Sequence, residues 1–356
     1  MISLVTRRQF TAALMALMQA PTPRRATPPQ TTQAARPDEK TRRAAAIASQ
    51  AAALKAELAA SGAGTWEQWA RRLEPERERF TQVAAGSRRG RNGYVFNTNA
   101  LRYLTDSSLE RGVEDTKPLE VIVAFDRKMR RLGSDFIYVP IPAIEEIYPE
   151  NYLETVPKDL TVQPATRRFM LSLLERDVEV VDLLRPFQAA REGYRLGLKQ
   201  DDHWNNVQIE LAASLVAERL RRYGFVKAAA AQAKRYTTKL AKADGSERGV
   251  TEMRQVVTPS GRLYEDVEQS PVLVVGDSNL QIYQYKTENL TATGEHAGFT
   301  AHLARHLGLP VSLSASGGLR LGQLGREPEL FEARRVVLFV GATWVLSAMP
   351  WTAITE

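Results

Sequence analysis

Cysteine is missing from all 356 residues. That absence excludes a thiol nucleophile, a disulfide framework and cysteine-ligated zinc. It suits an exported chain that avoids oxidation, though many cytosolic chains also lack cysteine. Histidine is scarce: any imidazole base must be His203, His296, His302 or His306. No run of about 20 apolar residues is available to cross a bilayer as a helix. A nucleic-acid module is absent too, as is any stripe of Lys and Arg interleaved with aromatics, so no nucleic-acid partner is expected. The charge excess is positive, 48 Lys and Arg against 41 Asp and Glu, which favours polyanions as a class without choosing among them. An apolar share of 44% is ordinary for a soluble globular chain, and 356 residues suffice for one large or two modest domains.

What the chain does have is organised around residues 271–283. Val272 to Val275 is a short β-branched run bounded by Pro271 and Gly276, which predicts a buried central strand. Gly276 is expected to turn the backbone tightly at the strand end. Ser278 then stands at the sheet edge, beside backbone N–H groups suited to an oxyanion. The plainer alternative is an Asp/Ser turn that caps a helix. Upstream, Asp201 and Asp202 precede His203. A hydroxyl nucleophile needs a base, and the base needs a carboxylate to fix its tautomer and steady the imidazolium. In an extended or turning segment, Asp-x-His points both side chains the same way. The alternative for Asp201, Asp202 and His203 is a polar helix start.

The Gly276-Asp277-Ser278 and Asp201-x-His203 elements together resemble SGNH (GDSL-type) hydrolases with the order reversed. With Trp204 and Asn205 following the histidine, they are similar to the alginate O-acetyltransferase family of the AlgJ/AlgX type. Gly90 to Phe96 with Leu101 to Leu104, and Phe136 to Pro142 with Ile147 to Glu150, resemble further segments of that family. The likeness spans roughly residues 88 to 345. Two departures stand out: Asp202 occupies a position that is usually small and hydroxylated, and Asn279 one that is often aromatic. Of the two candidate carboxylates, the resemblance favours Asp201.

In chain order, residues 1–27 carry Arg7, Arg8 and a short apolar run to Met18, a twin-arginine-type export signal, with an uncleaved anchor as the alternative. This implies a periplasmic protein. Residues 28–87 read as a linker and helical extension: helices over Asp38 to Leu58 and Trp66 to Ala84, broken at Ser61 to Gly64. Trp66, Trp69 and Leu73 are expected to form a packing face. The segment 85–93 reads as a turn into a strand Tyr94 to Phe96, because it lacks the Lys and Ser/Thr of a phosphate loop. Residues 88–356 read as the acyltransferase domain. A helix Leu119 to Leu132, using Val121, Ile122, Phe125 and Met129, feeds a strand Phe136 to Ile141 and predicts a parallel sheet. Glu145, Glu146 and Glu150 are expected to be solvated loop carboxylates.

A strand is expected at Val178 to Asp182. Asn205 or Asn206 should cap a helix with its core face on Val207, Leu211, Leu215 and Leu220, ended by Gly224. The segment 226–243 reads as helical or mobile, and 248–264 as lying beside the active face. His302 and His306 lack the glutamate of a metalloprotease motif and are expected at a surface or cap. Ser312 to Gly322 is expected to shape an acyl pocket, and Arg335 to Val340 to form a buried strand. The chain stops soon after that strand, with no carbohydrate-binding module, which makes it look AlgJ-like.

The expected fold is therefore α/β: a three-layer α/β/α SGNH-hydrolase-like domain with a mainly parallel sheet, plus a helical N-terminal extension. The resemblance implies an O-acetyltransferase that moves acetyl to an exopolysaccharide hydroxyl through an acyl-serine. Ser278 is the nucleophile, His203 the base and Asp201 its orienting carboxylate, and the Ser278 N–H serves the oxyanion hole. No cofactor and no metal are expected. The implied partners are a polysaccharide acceptor and a membrane-bound O-acyltransferase that supplies acetyl. The rivals are a carbohydrate acetylesterase with the same triad, a non-catalytic polysaccharide-binding or assembly subunit, and, more distantly, a metal-dependent hydrolase sensitive to chelation.

Overall fold

The computed structural model describes residues 37–60, 81–84, 86–105, 109, 117–153, 163–199, 201–232, 235–242, 252–285, 294–315, 321 and 327–354. The segment 1–27 expected to be an export signal, the expected break at Ser61 to Gly64, and Trp66, Trp69 and Leu73 lie outside the described residues.

Helix α1 (Pro37–Ala60) precedes three short strands, β1 (Thr81–Ala84), β2 (Ser87–Arg89) and β3 (Val95–Asn97), and helix α2 (Thr98–Thr105). Next come α3 (Pro118–Arg131), β4 (Asp135–Ile141), α4 (Ile144–Ile147), α5 (Pro164–Leu174), β5 (Glu179–Val180) and α6 (Leu184–Ala190). Helices α7 (Asn206–Leu220) and α8 (Gly224–Gln232) lead to an antiparallel pair, β6 (Thr237–Lys242) and β7 (Glu252–Val257). The chain continues with β8 (Val272–Gly276), α9 (Phe299–Leu307), β9 (Ser312–Ala315), β10 (Val336–Ala342) and α10 (Val345–Ala348).

Five strands form one sheet in the order β5-β4-β10-β8-β9, and every pairing is parallel. All residues of β8 and β10 are buried, so both faces of the sheet are covered, as expected of continuous Val/Leu/Phe runs. Helix α3 packs on β4, α5 on β5 and α1, and α7 on α9. This is the mainly parallel α/β fold with an N-terminal helix. The centre, however, is β10, and β8 lies one place out. β1, β2 and β3 form a separate antiparallel sheet.

Several local expectations are corrected. Residues 81–84 end in a strand rather than a helix, and β2 forms inside the presumed turn. The strand expected over Val178 to Asp182 shrinks to two laddered residues, because β5 is an edge strand that pairs with β4 only at Ile137 and Tyr138. On α7, Val207, Leu211 and Leu215 are only half-buried; of the four predicted core residues, Leu220 alone is fully inside. The buried face is instead Ile209, Ala212, Ala213, Val216 and Ala217, whose small side chains fit the close approach of α9. Gly224 begins α8 rather than ending α7. Part of the alanine-rich segment is strand β6. Glu145 and Glu146 are both 1% exposed, on a helix tucked behind β4, so they are not solvated loop groups. Only Glu150 is exposed.

The amino end of the sheet is clamped by buried ions. Glu179, fully buried, takes a bidentate pair from Arg222 at 2.5 and 2.6 Å, and Arg219 approaches at 3.4 Å. From α1, Arg43 reaches Asp177 at 3.1 Å and Glu39 accepts from the Gly224 N–H at 2.8 Å, so α1 is tied to the core by charge as well as by Ile47 and Leu54. Tyr223 donates to Asp135 at 2.5 Å, which closes the same cluster.

Candidate active site

Ser278 opens a short 3-10 turn, Ser278–Leu280, just past the carboxyl end of β8, where parallel sheets place their chemistry. Asp277 builds this turn. Its Oδ1 accepts from the Asn279 N–H at 2.9 Å and from Asn279 Nδ2 at 3.0 Å, and its Oδ2 accepts from the Ala342 N–H at 2.9 Å. One carboxylate thus caps the turn and pins it to β10. Gly276 does not adopt a left-handed backbone, so the expected tight turn is not its role. A Cβ there would stand 1.9 Å from Val340 O and 2.7 Å from Leu280 Cδ1; glycine is needed because β10 comes so close.

The histidine comes from the loop before α7. Asn205 caps α7, with its side chain accepting from the Gln208 N–H at 3.1 Å while Gln208 Oε1 accepts from the Asn205 N–H at 3.1 Å. Gln208 Oε1 also accepts from the Gly197 N–H at 2.6 Å, which closes the base of the loop. Gly197 is left-handed (φ 70°), and a Cβ there would strike Ile144 Cδ1 at 2.2 Å. Trp204, 1% exposed, joins this loop to the serine turn: its indole N–H donates to Asn279 O at 2.8 Å, and its ring stacks on Phe299 at 5.6 Å.

These supports bring together all three predicted residues. His203 Nε2 lies 2.8 Å from Ser278 Oγ across 75 positions of sequence, and His203 Nδ1 lies 2.5 Å from Asp201 Oδ1. Asp201 Oδ1 also accepts from the His203 backbone N–H at 3.1 Å, which fixes the loop. Asp202 Oδ1 stands farther off, 3.6 Å from Nδ1. Asp201, rather than Asp202, is thus the carboxylate within hydrogen-bond reach of Nδ1. Burial pushes the imidazole pKa down, but the hydrogen bond and charge of Asp201, with Asp202 and Asp277, outweigh it and leave His203 above its ordinary value. Ser278 itself is only half-buried.

Asp201, Asp202 and His203 also offer ligand atoms within 4.8 Å of one another. Ligands about 2.1 Å from a shared cation sit roughly 3 Å apart, whereas Nδ1 and Asp201 Oδ1 are 2.5 Å apart, the spacing of a shared proton. The other candidate cation residues do not assemble. His302 is fully buried in α9, contrary to the expected surface or cap position, with its pKa pushed to about 3 by burial and by Arg305 and His306. His306 is half-buried on the same helix, one turn on, with its pKa pushed to about 4.

The family model described as SGNH hydrolase-like domain, acetyltransferase AlgX, matches residues 88–334. The chain belongs to this family. A curated relative of this AlgX-type chain, the probable alginate O-acetylase AlgJ of Azotobacter vinelandii, is 24% identical over 140 residues, 38% of this chain and 35% of that protein. The match spans about a third of that relative's length. The O-acetyltransferase domain of Pseudomonas putida AlgJ superposes with a TM-score of 0.50 at 20% identity, covering 73% of this chain and 92% of that one. AlgX of Pseudomonas aeruginosa gives 0.51 at 17% identity, covering 72% and 61%. At such identities the structural likeness establishes the SGNH-like fold.

The Asp/Ser turn weighed as the plainer reading is present as well, since Asp277 caps the turn that Ser278 opens. Sequence reasoning missed two parts of this AlgX-type site, Asn97 and Glu146. Asn97, at the end of β3, donates to Asp202 Oδ2 at 2.9 Å. Glu146 is held by the Thr343 hydroxyl at 2.8 Å and the Ala143 N–H at 2.9 Å, which fastens the end of β4 to the end of β10. Nothing in the local pattern marks Asn97 or Glu146, because both partners are distant in sequence. The segment expected to shape an acyl pocket begins as edge strand β9, and residues 316–320 and 322 lie outside the described residues.

Proposed function

We propose that the protein is a periplasmic O-acetyltransferase that delivers acetyl to a hydroxyl of an exopolysaccharide, alginate-like in class, through an acyl-serine. The reading is carried by the unbroken relay from Asp201 through His203 to Ser278, with contacts of 2.5 and 2.8 Å. Family membership and the names of its alginate-acetylating relatives support it.

In the first half-reaction, Ser278 Oγ passes its proton to His203 Nε2 and bonds to the acyl carbon of the donor. The donor's carbon–oxygen bond then breaks, and the leaving oxygen takes the proton from Nε2. In the second half-reaction, a sugar hydroxyl gives its proton to Nε2, bonds to the acyl carbon and displaces Ser278 Oγ, which recovers the proton. Asp201 keeps Nδ1 protonated and steadies the imidazolium. The Ser278 backbone N–H is the assigned oxyanion donor; the neighbouring Asn279 N–H is taken by Asp277. The acetyl supplier is a membrane-bound O-acyltransferase and the acceptor a polysaccharide, and export relies on the twin-arginine-type leader. No described helix is long and apolar enough to cross a membrane.

The same relay serves a carbohydrate acetylesterase if water reaches the acyl-enzyme first, a reading favoured by the half-open Ser278. The test uses a chromogenic acetyl ester with wild type, Ser278→Ala and His203→Ala, intact mass for an acetyl adduct, and added oligosaccharide acceptors. Loss of turnover and adduct in both variants, with acceptor-dependent product in wild type, is the expected result. Product without acceptor dependence makes it an esterase. Equal behaviour of all three proteins leaves a binding or assembly subunit.

A further inference from the structure

Asp202 lies against the catalytic relay, yet acyl transfer as written makes no use of it. Its Oδ1 is 3.6 Å from His203 Nδ1, beyond a hydrogen bond but well within Coulomb range. Its Oδ2 is held by Asn97 Nδ2 at 2.9 Å. Asn97 is itself immobilised: its Oδ1 accepts from the Asn99 N–H at 2.8 Å, and the strand it ends is tied to the histidine loop by the Val95 N–H donating to Lys199 O at 2.6 Å. An amide N–H can only donate, so Asn97 favours the ionised form of Asp202.

We propose that Asp202, clamped by Asn97, is a second positioning carboxylate for His203: it adds negative charge on the Nδ1 side of the ring. Few groups face this centre. Asp201 and Asp202 come from the loop itself and Asp277 from the serine turn. Glu145 of α4 faces Asp202, and Tyr283, with Arg195 near it, faces Asp201. Glu145 is pushed to about 8 by burial, so it is mostly neutral at pH 7 and adds little competing charge. Burial and the neighbouring Asp201 hold Asp202 above the ordinary carboxylate range, against the pull of the His203 charge and the Asn97 hydrogen bond, which favour its ionised form.

The inference deepens the acyl-transfer reading, but its first test does not depend on turnover. In the full-length chain, the His203 ring is titrated by NMR in wild type, Asp202→Asn and Asn97→Ala. Asp202→Asn keeps an oxygen for Asn97 and removes the charge; the His203 pKa is expected to fall by about one unit. Asn97→Ala should move it the same way by less, and the double variant no further than Asp202→Asn alone, because Asn97 acts through Asp202. The acid limb of kcat/KM against pH for the acetyl ester should shift by the same amount. If Asp202→Asn does not fold, Asp202→Ser carries the same expectation. An unmoved His203 titration overturns the proposal even if kcat falls, since that outcome belongs to a merely structural residue. A shifted titration with no ester turnover sinks the acyl-transfer reading and leaves the coupling standing.

Discussion

The two ends of the parallel sheet both bury ionisable side chains, and they do so to opposite effect. At the amino end, Glu179 is shut in by Arg222 with two charge-assisted hydrogen bonds, and Arg43 and Arg219 stand close by. Guanidinium never gives up its proton at ordinary pH, so Arg222 cannot pass a proton to or from its partner. At the carboxyl end, the Asp201 charge terminates in an imidazole, which does titrate, and the relay ends in a half-open hydroxyl. Burial of charge alone therefore does not mark a site. What marks it is a chain of buried partners that ends in a group able to change state and reach solvent.

The sharpest way to separate the two ends is to break each and read both activity and stability. Ser278→Ala should lower ester turnover at least ~1000-fold while the melting temperature stays close to wild type, because the serine carries no core packing. Arg222→Ala should leave Glu179 buried without its main partner, at a cost of about 3–5 kcal/mol in denaturant unfolding. Its turnover per folded molecule should be unchanged. If Arg222→Ala abolished turnover in folded protein, the division between the two ends would fail.

Glu145 tests the comparison more finely, since it is a buried carboxyl at the carboxyl end with one oxygen, Oε1, unpartnered. Burial is the main cause of its rise from 4.5 to about 8, and the charges of Asp202 and Glu146 add to it. A folded-state pKa above the unfolded one means stability is greatest below about 4.5 and is lost as pH climbs through about 8. Glu145→Gln should flatten that decline, gaining roughly 2–4 kcal/mol at pH 8 relative to its effect at pH 5, as read by urea unfolding at the two pH values. Equal effects at both pH values would show that Glu145 is not held neutral. At the small end of the scale, Arg42→Ala removes an exposed helix pair with Asp38, and its unfolding free energy should change by less than about 0.5 kcal/mol.

The parts of this architecture that were readable from sequence are those with one strong local cause. β4, β8 and β10 announce themselves as β-branched runs, and α3 as an apolar stripe whose Val121, Ile122, Phe125 and Met129 are all buried. That Asp201, His203 and Ser278 would meet was legible because a carboxylate two residues before one of four histidines and a serine just past a buried strand are distinctive combinations. What stayed hidden depends on partners far along the chain. The buried face of α7 follows alanines because α9 lies against them, which no count of large apolar residues reveals. Glu146 looks like a surface glutamate until Thr343 is beside it, 197 positions away. Gly276 looks like a turn residue until Val340 O fills the space its Cβ would take. β6 was hidden by an alanine- and lysine-bearing sequence whose strand state comes from pairing with β7.

The position of β10 has a consequence for how the protein is made. It is the last strand of the described chain in sequence and the middle strand of the sheet, paired with β4 on one side and β8 on the other. A ribosome that has delivered everything up to residue 335 has already synthesised both His203 and Ser278, but β4 and β8 still present open edges with no strand between them. Asp277, too, lacks the Ala342 N–H that anchors its turn. Unpaired strand edges of this kind are prone to pair with other chains, and β10 covers one edge of each of its neighbours. Pairing of residues 336–342 closes both edges at once and supplies the Ala342 N–H that anchors the serine turn.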